Sequence, residues 1–272
     1  MKFDLIISDY DGTLSEVGNN NKLSDDLLDA IKQYENKGGK FVICSGRPFC
    51  SLKNIAIKNG FKGIVATLQG TYACDVETGK EYYFKGLSSE YALPVLKAFL
   101  QEKNATPIVF YKKDVYCQKK DEFVRFYEQK DMIDIILVDD LLKFVAEKGK
   151  ISKIALVYFS DQNRTDKLSE KYNLEYGNEN IVFNSGADYI LEVLDPNFSK
   201  GDATKFFADY FNVPYEKIMT VGDNTNDVTM VKGEWHGVAT GDGHLELKKV
   251  AKEVTVPLKD KPIKYLIEKY CL

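Results

Sequence analysis

Hydrophobic and polar positions follow two rhythms along the chain. In the first quarter, short unbroken apolar runs separate segments of helical period. "FDLIIS" predicts a strand, and "LSDDLLDAIKQYENKGG" predicts a helix in which Leu27, Ile31 and Tyr34 recur at helical spacing. Ser24 can cap that helix and Gly38–Gly39 stop it. "KFVICSG" predicts a second strand, "SLKNIAIKNG" a helix ending at Gly60, and "GIVATL" a third strand. Continuous apolar strands are those covered on both faces. Their alternation with helices predicts an α/β fold built on a doubly wound parallel sheet.

The last quarter repeats this rhythm. "SKGDATKFFADYFNV" predicts a helix capped by Ser199, with Asp202 at the capping-box position. Its expected buried stripe is Ala203, Phe206, Phe207, Tyr210 and Phe211. "KIMTVG", "HGVAT" and "EVTVP" predict strands separated by short helices, and "KPIKYLIEKYC" a closing helix. The middle differs. Aromatic and β-branched segments ("EYYFKG", "TPIVFYKKDVYCQ", "SKIALVYF", "NIVFNS", "YILEVL") alternate with two or three amphipathic helices. This pattern predicts an inserted α+β domain over 81–189 with a partly exposed antiparallel sheet, and a core domain formed by 1–80 and 190–272.

Composition narrows the function. Of 272 residues, 44% are hydrophobic, enough for a substantial core. A net charge of −4 without a basic block argues against nucleic acid as a partner. No run approaches the roughly 18 apolar residues needed to span a bilayer, so no membrane partner is expected. Acids at positions 4, 9 and 11 interrupt any secretory leader. The five scattered cysteines contain no C-x-x-C pair, which disfavours a disulfide framework or a zinc site and fits a reducing cytoplasm. Two histidines leave little material for His-based catalysis.

Candidate chemistry sits in four segments expected at the C-terminal ends of parallel strands, where open α/β sheets place their sites: "DYDGT", "CSGRP", "SKGD" and "GDNTND". Asp9 and Asp11 alternate at a strand end, so their carboxylates are expected to crowd and repel unless a cation or a shared proton compensates. A tight "DG" turn closing a hairpin is the plainer reading, but "TLSEVGNNNKLS" offers no partner strand. Each other segment also has a plain reading: Ser45-Gly46 as a loop, Lys200 as a solvated lysine, "GDNTND" as a polar turn and helix cap. Together they describe a phosphate site with Mg²⁺, which takes oxygen ligands, few carboxylates and several waters. Asp9 and Asp223 could supply carboxylates, and Ser45 and the Gly46 N–H could bind phosphate oxygens. Lys200, in the first turn of its helix, opposes the dipole by about 0.3–1 kcal/mol unless an anion is held there.

The four motifs resemble those of the haloacid dehalogenase superfamily, specifically its Cof-type phosphatases with a large cap. D-x-D-G-T matches Asp9 to Thr13, the Ser/Thr motif matches Ser45, the lysine motif matches Lys200, and G-D-x-x-N-D matches Gly222 to Asp227. The resemblance covers the whole chain and implies a Rossmann-like core with the cap inserted after the third strand. It implies Asp9 as the nucleophile that forms an aspartyl-phosphate, and Asp11 as the acid and then the base. Mg²⁺ would be held by Asp9, the Asp11 carbonyl and Asp223. Tyr10, Ser45, Gly46, Lys200 and Asn226 would bind the phosphate, with Thr13 and Asp227 behind them. The implied substrate is a small phosphorylated metabolite, most readily a sugar phosphate, handled by a monomer or small homo-oligomer. A phosphomutase or phosphotransferase using the same Asp9, or a phosphate-sensing module without turnover, are the alternatives. Where relatives commonly carry Asn-Gly after the third strand, this chain has Gln69-Gly70, and near "GVAT" it has Gly241-Asp242 in place of Gly-Asn.

Overall fold

A computed structural model describes residues 1–15 and 21–272. The chain forms two compact units. The first comprises Met1–Arg47, Leu52–Tyr83 and Ser199–Leu272, and the second Pro48–Ser51 and Phe84–Phe198.

The first unit begins with β1 (Leu5–Ser8), α1 (Asp25–Asn36), β2 (Lys40–Cys44), α2 (Phe49–Asn59), β3 (Ile64–Thr67), β4 (Tyr72–Asp75) and β5 (Glu81–Phe84). All four residues of β1 and of β3 are buried, as their unbroken apolar sequence requires. The α1 stripe of Leu27, Ala30, Ile31 and Tyr34 is buried. Ser24 stands at its N-cap, but the hydroxyl accepts no helix N–H. Tight turns lie beyond β3: Leu68, Gln69 and Gly70 have φ of 53°, 60° and 91°. The left-handed turn folds β4 back antiparallel to β3, pairing Thr67 with Tyr72. The sheet is therefore parallel only as far as β3.

The second unit runs through β6 (Leu87–Ser88), α3 (Ser89–Phe99), β7 (Thr106–Tyr111), β8 (Asp114–Cys117), α4 (Glu122–Asp131), β9 (Ile136–Leu137), α5 (Leu141–Lys148), β10 (Lys150–Ile151), β11 (Lys153–Val157), α6 (Gln162–Tyr176), β12 (Val182–Ala187) and β13 (Ile190–Leu194). Its main sheet has the order β12-β13-β11-β7-β8-β9, antiparallel except where β9 joins β8. Four helices are present where two or three were expected. Within its apolar cluster Tyr172 stacks on Phe183 (ring centroids 5.6 Å apart) and meets Phe99 edge-to-face (4.9 Å). The units divide at Tyr83/Phe84 and Phe198/Ser199, against 80/81 and 189/190 read from the sequence. "EYYF" joins the first unit's sheet as β5. β13 stays with the second unit because it pairs with β11 and β12.

The chain then adds α7 (Lys200–Phe211), β14 (Ile218–Gly222), α8 (Val228–Val231), β15 (His236–Ala239), α9 (Leu245–Val250), β16 (Glu253–Val254) and α10 (Pro262–Tyr270) to the first unit. Ser199 and Asp202 form the expected capping box of α7. The buried face of α7 is Lys200, Gly201, Ala203, Thr204, Phe207 and Ala208, whereas Tyr210 is 45% exposed and Phe206 and Phe211 are half-buried. The polar N-terminal turn faces inward, which rotates the buried stripe away from Tyr210. The completed sheet has the order β16-β15-β14-β1-β2-β3-β4-β5. Successive strands move outward from β1 on one side and from β14 on the other, so the topological switch point lies between β1 and β14.

Glu35 lies in the last turn of α1, where a negative charge opposes the helix dipole. Burial pushes its carboxyl up to about 6, against the pull of Lys40. A raised carboxyl favours the folded state while protonated, and that stability is lost as pH rises from the ordinary value through about 6. Glu35→Gln is therefore expected to raise Tm at pH 7.5 and to leave it unchanged near pH 4. Equal shifts at both pH values in a thermal melt would contradict this origin.

Candidate active site

β1 ends at Ser8, and the next residues turn rather than continue the strand. The Asp9 N–H donates to Val221 O on β14 (2.9 Å), while Leu14 and Ser15 N–H both return to Tyr10 O (2.9 and 3.0 Å). Gly12 makes this turn with φ of 83°, and a Cβ there would lie 2.3 Å from Asp223 Oδ2. Only glycine permits both the conformation and the approach. In the interval "TLSEVGNNNKLS", residues 16–20 fall outside the described part of the chain, so the expectation that it offers no partner strand is untested there.

Because the strand stops, the expected crowding of Asp9 against Asp11 does not arise. Asp11 turns to Arg47, whose Nε and Nη2 donate to its two carboxylate oxygens at 2.7 Å each. The acids gathered with Asp9 are Asp223 and Asp227: each of the three offers a carboxylate oxygen within 4.8 Å of the others. Lys200 joins this group. Its Nζ lies 2.6 Å from both Asp9 Oδ1 and Asp227 Oδ1, and its side chain is wholly buried. Lys200 opens α7 rather than closing a parallel strand, so three of the four motif segments follow such strands and the fourth enters as a helix start.

Electrostatics follow from burial. Asp227 is the most heavily engaged of the three: its Oδ1 accepts from Lys200, and its second oxygen accepts the N–H groups of Asp223 (3.0 Å) and Asn224 (3.1 Å). Burial alone would lower the Lys200 ammonium, but Asp227 and Asp9 outweigh it and hold the lysine charged. Burial and the Asp227 carboxylate push the Asp9 carboxyl well up, against the pull of Lys200. Asp223 is pushed up to about 6 by burial and then by Asp227, although Thr13 donates to its Oδ1 at 2.8 Å. One lysine among three carboxylates leaves the cluster short of positive charge. Oxygen-only donors in that condition fit a hard divalent cation such as Mg²⁺. Asp227 already accepts three hydrogen bonds, whereas Asp9 accepts one side-chain donor, Lys200, and Asp223 one, Thr13, so Asp9 and Asp223 have more carboxylate capacity to offer it.

The remaining expected residues lie around a second loop. Ser45 is buried; its N–H donates to Ala66 O (2.8 Å) and its Oγ accepts from Arg47 N–H (3.2 Å). Gly46 faces the Gln69 amide, and Asn226 Nδ2 donates to Gln69 Oε1 at 3.3 Å. Tyr10 is fully buried and its hydroxyl donates to Asn21 O (3.1 Å), so only its main chain remains for a phosphate. Arg47 received no role from the sequence, although it adjoins Ser45-Gly46 in "CSGRP". Leu68 and Gln69 keep left-handed backbones without being glycine, at a cost of about 1–3 kcal/mol each.

The sequence profile described as haloacid dehalogenase-like hydrolase matches residues 6–267. The phosphatase YwpJ of Bacillus subtilis is 27% identical over 93% of this chain and 94% of its own. The crystal structure of TM0651 from Thermotoga maritima superposes with a TM-score of 0.85 at 22% identity, covering 98% of this chain and 97% of that one. The sugar phosphatase BT4131 superposes at 0.77 with 18% identity, covering 98% of each chain. With the family's profile matched along nearly its whole length, the chain belongs to the haloacid dehalogenase-like hydrolases.

Proposed function

We propose that the chain is a Mg²⁺-dependent phosphatase of small phosphorylated metabolites, sugar phosphates foremost, acting through an aspartyl-phosphate on Asp9. The observation that carries this reading is the buried Asp9 carboxylate held 2.6 Å from Lys200 beside Asp223. The sugar class draws on the likeness to the sugar phosphatase BT4131.

In the first step an Asp9 oxygen bonds to phosphorus as the ester P–O bond breaks, and Asp11 gives its proton to the leaving oxygen. In the second, Asp11 takes a proton from water as that water attacks phosphorus, releasing phosphate and restoring Asp9. Both Asp11 oxygens are engaged by Arg47, so Asp11 must turn out of that fork to reach a leaving group. Lys200, the Ser45 hydroxyl, the main-chain N–H groups of Tyr10 and Gly46, and Asn226 neutralise and orient the phosphoryl oxygens, the larger share of catalysis in such transfers. Mg²⁺, held by the Asp9 and Asp223 carboxylates and the Asp11 carbonyl, would supply further charge neutralisation at the phosphoryl group. Thr13 fixes the Asp223 carboxylate, and Asp227 holds Lys200. All these groups belong to the first unit, which leaves selection of the leaving group to the second.

A phosphate-release screen over phosphorylated metabolites, with and without Mg²⁺, tests the proposal. Release is expected only with Mg²⁺, with sugar phosphates leading. A rearranged sugar phosphate in place of free phosphate would make the protein a mutase. Tight Mg²⁺-dependent binding without any release would make it a sensor.

A further inference from the structure

Gln69 stands where three site segments meet, with an amide nitrogen for which no hydrogen-bond acceptor is found among the described residues. Its backbone N–H donates to Ser45 O (3.1 Å), and the Leu68 N–H donates to Arg47 O (3.0 Å). Gly70 lies against the start of α7, where a Cβ would come within 3.1 Å of Ser199 O and 3.4 Å of Lys200 Cα. From a third side, Asn226 donates to Gln69 Oε1. That bond fixes the plane of the amide and turns its Nε2–H₂ group away from Asn226. The nitrogen lies above Gly46, only 2.7 Å from where a Cβ would stand, and no described residue accepts from it. The side chain is held there on a left-handed backbone, φ 60°, that glutamine adopts reluctantly. Strain of this kind, together with an idle donor beside Ser45 and Gly46, points to a ligand.

We infer that Gln69 is a phosphate-contacting residue whose Nε2–H₂ donates to a non-bridging phosphoryl oxygen, alongside the Ser45 hydroxyl and the Gly46 N–H. The inference rests on the phosphatase reading and adds a ligand-binding group to it. Asn226 then has a double role, touching phosphate and orienting the Gln69 amide. A merely structural Gln69 would brace the loop through its backbone, and glycine would serve there as well or better, because it accepts the left-handed conformation freely.

Gln69→Gly separates the two roles, and Gln69→Glu, of equal length, replaces the donor with a carboxylate. Tungstate, a phosphate mimic, is titrated calorimetrically into wild type and both variants with saturating Mg²⁺. KM is measured for p-nitrophenyl phosphate and for a sugar phosphate. Gln69→Gly is expected to keep Tm at or above the wild-type value while weakening tungstate about tenfold or more, the loss of one hydrogen bond to an anion. KM should rise alike for both substrates, since the phosphoryl group is common to them, and Gln69→Glu should weaken tungstate further. Wild-type tungstate affinity in either variant overturns the assignment, and so does a loss confined to the sugar phosphate. Should wild type bind tungstate but hydrolyse nothing, the hydrolytic reading falls while the tungstate comparison still decides the role of Gln69. A wild type that binds no tungstate removes both.

Discussion

Asp9→Asn is expected to lower kcat by at least about a thousandfold, ~4 kcal/mol of barrier, while the protein remains folded. The amide is isosteric but cannot form the acyl-phosphate, and it is a poor ligand for Mg²⁺. The fold should survive because Lys200 keeps its second carboxylate, Asp227, at 2.6 Å, so no unpaired charge is left in the interior. Circular dichroism and a thermal melt establish the fold, and single-turnover kinetics establish the chemistry. Near-normal kcat at saturating Mg²⁺ would remove Asp9 as the nucleophile.

Asp11→Asn should divide the two halves of the reaction. A sugar alkoxide needs a proton to leave, whereas p-nitrophenolate departs as an anion. Both substrates pass through the same aspartyl-phosphate, so loss of the base slows the second step equally. The variant is expected to release about one p-nitrophenol per enzyme in a burst and then stall with Asp9 phosphorylated. A sugar phosphate should give no comparable burst. Asparagine can still accept from Arg47 through one oxygen, so the local structure should persist. Steady turnover of p-nitrophenyl phosphate without a burst, and without labelled Asp9, would contradict both roles of Asp11.

The strand–helix rhythm up to β3, the capping box of α7 and the four motif segments were legible because each depends on local spacing. What escaped the sequence depends on where the chain goes next. The period-two argument put Asp9 against Asp11, yet the strand stops at Ser8 and the neighbours of Asp9 arrive from residues 200, 223 and 227. Tyr210 fits an apolar stripe by spacing, but α7 turns its polar first turn inward and leaves that ring half in water. The antiparallel turn into β4 was not read from Gln69-Gly70, because nothing local says that the two residues before that glycine also take positive φ. The bond between Arg47 and Asp11 joins residues that no periodicity relates.

The pairing of β1 with β14 has a consequence for how the protein is made. Leu5 to Ser8 lie beside Ile218 to Val221, and the whole second unit is synthesised between them. A chain emerging from the ribosome therefore holds β1 and β2 with one flank of the central strand open until the last quarter is translated. Unpaired apolar strand edges invite association with other chains. Asp223, 210 residues beyond Thr13, comes with that late strand. The cluster of Asp9, Asp223 and Asp227 is thus assembled only when the sheet closes, and a chain truncated before β14 is left with an aggregation-prone edge as well as an incomplete cluster.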